Sequence, residues 1–294
     1  MKADLDVTVD LVRGLLAEQH PDLAGLPLRV EANGWDNVMI RLGDDLAVRV
    51  PRREVAAHLV EHEQRWLPVL APRLPVTVPV ALRVGRPSVG LGYPWSWSVV
   101  PWTDGRRGSD VAPERRRRVA GPLAAFHHAL HSPAPSDAPV NPVRGVALPT
   151  RDEALRGRVE RGVVPDGDEV LALWSQLVEA PGWEGLPLWI HGDPHPGNLV
   201  LADDGTLRAV VDFGDMTAGD PATDLAAAWL VLDAEGRAVY RDALGDRYPA
   251  DDPVWLRARG WALTMSTSML ESGPESAWVH RMGTESLARV LGDT

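Results

Sequence analysis

The hydrophobic positions of this chain change period along its first hundred residues. In "TVDLVRGLLAEQHPDL" apolar residues recur three and four apart, the spacing of a helix with one buried face, and Pro21 marks its stop. The pattern then turns strand-like. "LRVEANGWDNVMIRLGDDLAVRVPRR" holds two runs, residues 38–42 and 46–50, joined by Gly43-Asp44-Asp45; they predict a β-hairpin preceded by a turn over residues 33–37. Helical spacing returns in "EVAAHLVEHEQRWLPVLAPRL", with Pro68 and Pro72 as its end, and "VTVPVALRVG" and "YPWSWSVVPW" read as further strands. Together these segments predict a small antiparallel sheet with one helix.

Beyond "TDGRRGSD", residues 103–110, the pattern is mainly helical. That polar, Gly-containing stretch reads as a linker. The Pro-rich "HSPAPSDAPVNPV" reads as a loop between helices, and "PATDLAAAWLVLDA", "EGRAVYRDAL" and "WLRARGWALTMSTSML" as helices near the C-terminal end. With 294 residues the chain is long enough for two packed units. The expected organisation is α+β and two-lobed: residues 1–102 as an N-terminal lobe, 103–110 as linker and 111–294 as a larger, mainly helical lobe.

Composition narrows the chemistry. Cysteine is absent, which removes disulfides, thiolate metal sites and Cys nucleophiles together. No window has the length of apolar sequence needed for a membrane span, and the N-terminus lacks the pattern of a signal peptide, so a cytoplasmic location is expected. The formal net charge is −11, a field that repels nucleic acid and favours a cationic small molecule. "PERRRR" is the local exception, and it reads as an exposed first turn of a helix rather than a nucleic-acid patch. Nothing in the sequence specifies an oligomeric state.

The chemistry concentrates in "WIHGDPHPGNLVLADDGTLRAVVDFGD", residues 189–215. It reads strand, loop, strand, turn, strand, and pairing about Asp203-Asp204-Gly205-Thr206 brings Asn198 and Asp212 close to opposite one another. An amide oxygen and a carboxylate so placed are hard donors suited to Mg²⁺. Asp193, five residues before Asn198, supplies a carboxylate able to accept the proton of an attacking hydroxyl. The order D-x-x-x-x-N, hairpin, D-F-G matches the protein-kinase order of catalytic Asp, metal-binding Asn and metal-binding Asp. Two other readings compete. One is a transition-metal site on His191 and His195, which needs a helix that Gly192, Pro194, Pro196 and Gly197 forbid. The other is a hairpin with polar decoration and no activity.

"HGDPHPGNLVL" and "VVDFGDMTAGDPATDLA" closely resemble the aminoglycoside phosphotransferase family, the small-molecule branch of the protein-kinase-like fold that includes macrolide phosphotransferases and choline kinases. The resemblance covers nearly the whole chain. It implies Asp193 as catalytic base, Asn198 and Asp212 as Mg²⁺ ligands, and His191 and Asp224 as supports of the catalytic loop. In the N-terminal lobe "LAVRVPRR" resembles the strand whose basic residue contacts the nucleotide phosphates, here Arg49 in place of the usual lysine, and "EHEQRWLP" the helix whose glutamate pairs with it. Glu63 is the first choice for that partner and Glu61 the second. Backbone around Asn33 and Asn37 is the candidate phosphate-loop segment, although the G-x-G-x-x-G repeat is absent. The resemblance sets the base of ATP or GTP near Val100 and Trp102.

The implied activity is an ATP- or GTP- and Mg²⁺-dependent phosphotransferase acting on the hydroxyl of a small molecule such as an aminoglycoside or macrolide antibiotic. A metabolic kinase for a sugar or amino alcohol, and a nucleotide-binding pseudokinase, are the alternatives. His127, His128 and His131 fall near a helix end, where histidines cap or face solvent; a metal pair at His127 and His131 is the rival reading. Trp229, Trp261 and Trp278 are candidates for stacking on substrate, with core packing the plainer expectation.

Overall fold

The computed structural model describes residues 3–34, 36–273 and 276–293. By its contacts the chain divides into two compact units: residues 1–73, 77–104 and 211–214 form the first, and residues 74–76, 105–210 and 215–294 the second.

The first unit is built on a five-stranded antiparallel sheet. Its elements are α1 (Val9–Gln19), β1 (Leu28–Asn33), β2 (Asn37–Leu42), β3 (Leu46–Pro51), α2 (Glu54–Leu70), β4 (Arg83–Gly85) and β5 (Trp97–Pro101), with strand order β1-β2-β3-β5-β4. Thr8 caps α1 by accepting the Leu11 N–H at 3.2 Å, which satisfies one of the donors left over at a helix start. The β2–β3 hairpin pairs Leu42 with Leu46 and Met39 with Arg49. This register sends Val38, Ile40, Leu42 and Val48 inward, where they meet Val12, Leu15 and Leu16 of α1 and the fully buried Trp97. Two helices therefore accompany the sheet. α2 runs through Pro68 to Leu70, beyond the proline expected to stop it, because Leu67 and Leu70 are both buried and their burial outweighs one missing helical donor. Of "VTVPVALRVG" only Arg83–Gly85 is strand; Pro79 interrupts the earlier part of that stretch, having no N–H to give to a ladder.

The second unit contains β6 (Arg106–Arg107), α3 (Ala120–Leu130), α4 (Asp152–Glu160), α5 (Gly167–Leu177), β7 (Leu188–Ile190), β8 (Leu199–Leu201), β9 (Leu207–Val210), β10 (Thr217–Gly219), α6 (Ala222–Leu225), α7 (Ala227–Leu230), α8 (Ala234–Ala243), α9 (Val254–Met269) and α10 (Ala277–Leu291). Its two small sheets are β6-β8-β9 and β10-β7. Residues 105–110, read from sequence as linker, supply β6, which pairs Arg107 with Val200, followed by a short 3-10 turn. α9 is the core helix, with Trp261 fully buried and Trp229 of α7 nearly so; these two tryptophans are core residues. "PERRRR" opens a 3-10 turn in which Arg116 is buried and Arg117 pairs with Asp233 at 2.6 Å and with Glu235, so it is not a plain solvated face. Among the described residues no helix is long and apolar enough to cross a membrane.

Candidate active site

In the second unit, the loop between β7 and β8 carries the densest polar chemistry. β7 is buried and ends at Ile190, and the chain then turns at Gly192 with φ of 87°. A side chain there would be strained, and its Cβ would lie 2.3 Å from the Asp215 carbonyl oxygen, so only glycine fits. Asp224, fully buried at the start of the next helical segment, accepts the main-chain N–H of His191 at 2.7 Å and of Gly192 at 2.8 Å. The His191 ring lies against the same loop and takes the Asp193 N–H on Nδ1 at 3.2 Å.

Asp193 stands at the end of this turn with its side chain about a quarter exposed. His195 Nε2 lies 3.1 Å from its carboxylate and Arg144 Nη2 3.5 Å away. Burial alone would raise the Asp193 carboxyl, but the His195 hydrogen bond and the Arg144 charge outweigh it and hold the group below the usual carboxylate range. The group is an anion at neutral pH. Asn198 donates through Nδ2 to the Asp193 carbonyl at 2.9 Å and to its carboxylate at 3.2 Å. Those bonds fix the amide orientation, so Oδ1 is the atom Asn198 has to offer. Both ring nitrogens of His195 are engaged by the loop, Nδ1 accepting from Gly197 N at 3.1 Å, which leaves the two-histidine metal reading without geometry.

Beneath the loop, the His127 and His131 rings stack in parallel at 5.5 Å on α3 and its end. Both are buried rather than facing solvent, because the i, i+4 pair lies on the inward face of α3; His131 is also the C-cap of that helix, its N–H donating to His127 O at 2.9 Å. Tyr240 shares a 2.6 Å hydrogen bond with His127 Nδ1, and Tyr248 a 2.9 Å bond with His131 Nδ1. His131 Nε2 reaches Asp224 at 3.2 Å. Desolvation pushes both imidazoles down, His127 to about 3 and His131 in the same direction, so they are neutral. Asp224 is held at about 2, its burial outweighed by the bond from His131 and the neighbouring imidazoles. The sequence carried no signal that these histidines brace the loop through Asp224.

In the first unit, Arg49 of β3 lies buried between two carboxylates. Its Nε stands 3.0 Å from Glu63 of α2, and its Nη2 donates to Asp212 at 3.0 Å. Burial opposes the Arg49 charge, but Glu63 and Asp212 outweigh it and keep the guanidinium cationic. Glu63 is raised to about 7, by burial first and by Asp212, against the pull of Arg49. Glu61 does not share in this cluster; it accepts from Ser96 at 3.0 Å. Asp212 has φ of 62°, a left-handed backbone that aspartate tolerates better than most residues, and its side chain is 54% exposed. Taken singly, the half-exposed Asp212 carboxylate of the first unit and Asn198 Oδ1 of the second are hard oxygen donors of the kind Mg²⁺ takes.

Trp35 lies outside the described residues, as does the side chain of Asn33. Around them Gly34 N donates to Asn37 O at 3.0 Å, and the buried Asn37 Oδ1 finds no hydrogen-bond partner among the described residues. Val100 is buried in β5, and the Trp102 N–H donates to Asp45 O at 2.7 Å. The Trp102 ring carries Arg41 stacked at 4.4 Å, and its Nε1 donates to Asp104 at 2.8 Å. In the second unit Trp278 packs beside the Asp193 loop, since a Cβ on Gly197 would come within 2.8 Å of its ring.

Arg144 and Asn141 are site residues that motif reading missed. Asn141 Nδ2 donates to Asp215 at 2.8 Å. Asn141 comes from the Pro-rich segment and Arg144 directly follows it, in sequence that resembles a plain connector.

Comparison with known proteins gives the same direction. The chain covers 96% of itself and 98% of the GDP complex of wild-type aminoglycoside 2'-phosphotransferase-IIIa, with a TM-score of 0.68 at 18% identity. Against the apoenzyme of macrolide 2'-phosphotransferase MphH from Brachybacterium faecium it covers 97% and 99%, with a TM-score of 0.58 at 22% identity. For a gentamicin complex of an APH(2") enzyme the figures are 99% and 98%, a TM-score of 0.59 and 16% identity. At these identities the likeness is one of fold. No sequence relative was found among curated proteins. The model of the phosphotransferase enzyme family, APH, matches residues 28–261. With most of its length inside that match, and with the kinase-like fold just described, the chain belongs to the phosphotransferase enzyme family.

Proposed function

We propose that this enzyme uses ATP or GTP with Mg²⁺ to phosphorylate a hydroxyl group of a small molecule, with Asp193 as the base. The observation that carries the reading is the Asn198 amide turned onto Asp193: one contact orients the carboxylate and presents Oδ1 as a hard donor. The aminoglycoside and macrolide phosphotransferases of similar fold support an antibiotic-like acceptor. In this reading the first unit binds nucleotide and the second carries the acceptor and the catalytic loop.

The Asp193 carboxylate accepts a hydrogen bond from the acceptor hydroxyl and aims its lone pair at the γ-phosphorus. As the new O–P bond forms and the bond from phosphorus to the β,γ-bridging oxygen breaks, the hydroxyl proton passes to Asp193 and the nucleoside diphosphate leaves. Arg49, held by Glu63, grips phosphate oxygens with a fork of N–H donors that lysine lacks. Asn198 and Asp212 would be the residues to hold Mg²⁺, which would supply positive charge to offset that on the transferring group. His191 and Asp224 keep the loop in place, and backbone near Asn33 and Asn37 and near Val100 and Trp102 borders the nucleotide.

The test is nucleotide turnover with ATP and with GTP, plus Mg²⁺, against aminoglycosides, macrolides and hydroxylated metabolites. Turnover that depends on an acceptor and disappears in Asp193→Ala supports the reading. Full turnover in that variant would remove Asp193 from its role, and failure of the parent protein to bind any nucleotide would sink the phosphotransferase reading.

A further inference from the structure

Arg144 directly follows the Pro-rich segment in the stretch between α3 and α4, which is fastened along β10. Asn141 N donates to Thr217 Oγ1 at 3.0 Å, Thr217 Oγ1 donates to Pro139 O at 2.8 Å, and Gly145 N donates to Thr223 Oγ1 at 3.2 Å. These bonds fix the main chain on both sides of Arg144. Its guanidinium reaches two carboxylates, Asp193 at 3.5 Å and Asp215 at 3.6 Å. Neither approach has the length of a strong charge-assisted hydrogen bond. The Asp215 approach is made by Nε, which is buried and at that distance forms an ion pair without a hydrogen bond. The side chain is 23% exposed, so the guanidinium is open in part to a ligand.

The charges around the loop point the same way. Asp215 takes Asn141 Nδ2 at 2.8 Å on one oxygen and faces Arg144 with the other. Asp193 is flanked by His195 and Arg144, and the buried Asp220 is held by Arg257 at 2.7 Å. Arg107 stacks 4.6 Å from the centre of Trp278, the ring that packs on Gly197. Arg151 is pushed down by burial first and then by the charges of Arg144 and Arg158. The carboxylates beside the loop thus already hold basic partners, with Arg144 shared between Asp193 and Asp215.

We infer that Arg144 sets acceptor specificity, favouring a hydroxylated molecule that is neutral or anionic near the reacting hydroxyl and places an oxygen on the guanidinium, and disfavouring a polycation. The inference rests on the phosphotransferase reading and narrows its acceptor. It reverses the preference for cations that the overall charge suggests. An ammonium group brought beside Asp193 meets a fixed guanidinium, and a like-charge contact of that kind is a specificity device.

The experiment is equilibrium titration of the full chain and of Arg144→Glu, Arg144→Gln and Arg144→Lys at low ionic strength, with kanamycin as the polycationic probe and gluconate as the anionic one. Thermal melts check that each variant is folded. Arg144→Glu should tighten kanamycin binding by ~10-fold or more and weaken gluconate binding to a similar degree, with Arg144→Lys close to the parent. Should Arg144→Glu fail to fold, Arg144→Gln is read instead, with the same signs and smaller changes. Kanamycin affinity that is unchanged or weaker on removing the arginine would overturn the inference while leaving the phosphotransferase reading intact. A parent protein that binds no nucleotide would overturn both.

Discussion

Arg49 donates to Asp212 at 3.0 Å while its Nε faces Glu63 at the same distance, so one guanidinium serves two carboxylates in the first unit. A lysine at 49 offers a single compact ammonium in place of the planar fork and cannot reproduce the geometry of both contacts. Arg49→Lys is expected to raise the KM for nucleotide about tenfold, with a smaller effect on kcat. Arg49→Met strands a buried Glu63 and should cost about 3–5 kcal/mol in urea unfolding at pH 8. Because Glu63 already titrates at about 7, that loss should shrink at pH 6, where the carboxyl takes a proton. Equal losses at the two pH values would contradict the account.

Asp193→Asn keeps the shape of the catalytic loop and removes the proton acceptor. The expected result is a fall in kcat of roughly 10²–10⁴ with nucleotide affinity within about twofold of the parent. Rapid-quench measurement of a single turnover separates this from product release. A variant slowed only in release would place the base elsewhere.

Acid should weaken the support under the loop in two stages. His127, held near 3 when folded, accepts a proton at about 6.5 when unfolded, and His131 is shifted the same way; the unfolded chain therefore binds more protons below pH 6.5. Stability is unaffected by these groups above that value and is lost as pH falls from about 6.5 towards 3. Asp224 acts lower: its contribution is complete above the unfolded value near 4 and disappears as pH falls through about 2. Thermal melts from pH 7.5 to 4 should show the first stage, and His127→Gln should flatten it. A slope unchanged by that replacement would exclude His127 as a source.

The left-handed backbone at Asp212 can be tested apart from its charge. Asp212→Asn and Asp212→Ala both lose the carboxylate, but asparagine tolerates φ of 62° and alanine does not. Asp212→Ala should be less stable than Asp212→Asn by about 1 kcal/mol. Chemical denaturation of the pair reads the difference, and equal stabilities would mean that the strain is relieved elsewhere.

Much of this molecule is local and so legible in sequence. The β2–β3 hairpin follows from two apolar runs about a Gly-Asp-Asp turn, and the Asp193, Asn198 and Asp212 order follows from spacing alone. What sequence hid depends on long-range burial. The stacked His127 and His131 look like a polar helix end until Tyr240 and Tyr248, more than a hundred residues away, are seen to satisfy them. Arg144 was hidden for a related reason. Nothing in "NPVRGV" marks it as a neighbour of Asp193, since that contact depends on hydrogen bonds made by Asn141 and Gly145 to β10 and the residues after it.

At Gly145 and Gly219 two main chains touch without side chains between them: a Cβ on Gly219 would meet the Gly145 carbonyl oxygen at 2.3 Å, and Gly145 itself has φ of 67°. Asp220 N closes the contact by donating to Gly145 O at 3.0 Å. Such a seam behaves as a zip fastener, in which a single tooth of the wrong size stops the closure. The Asp220 amide should then exchange slowly with deuterium, and an insertion beside Gly145, in a stretch that would pass for a tether, should be far less tolerated than one at an ordinary surface bend.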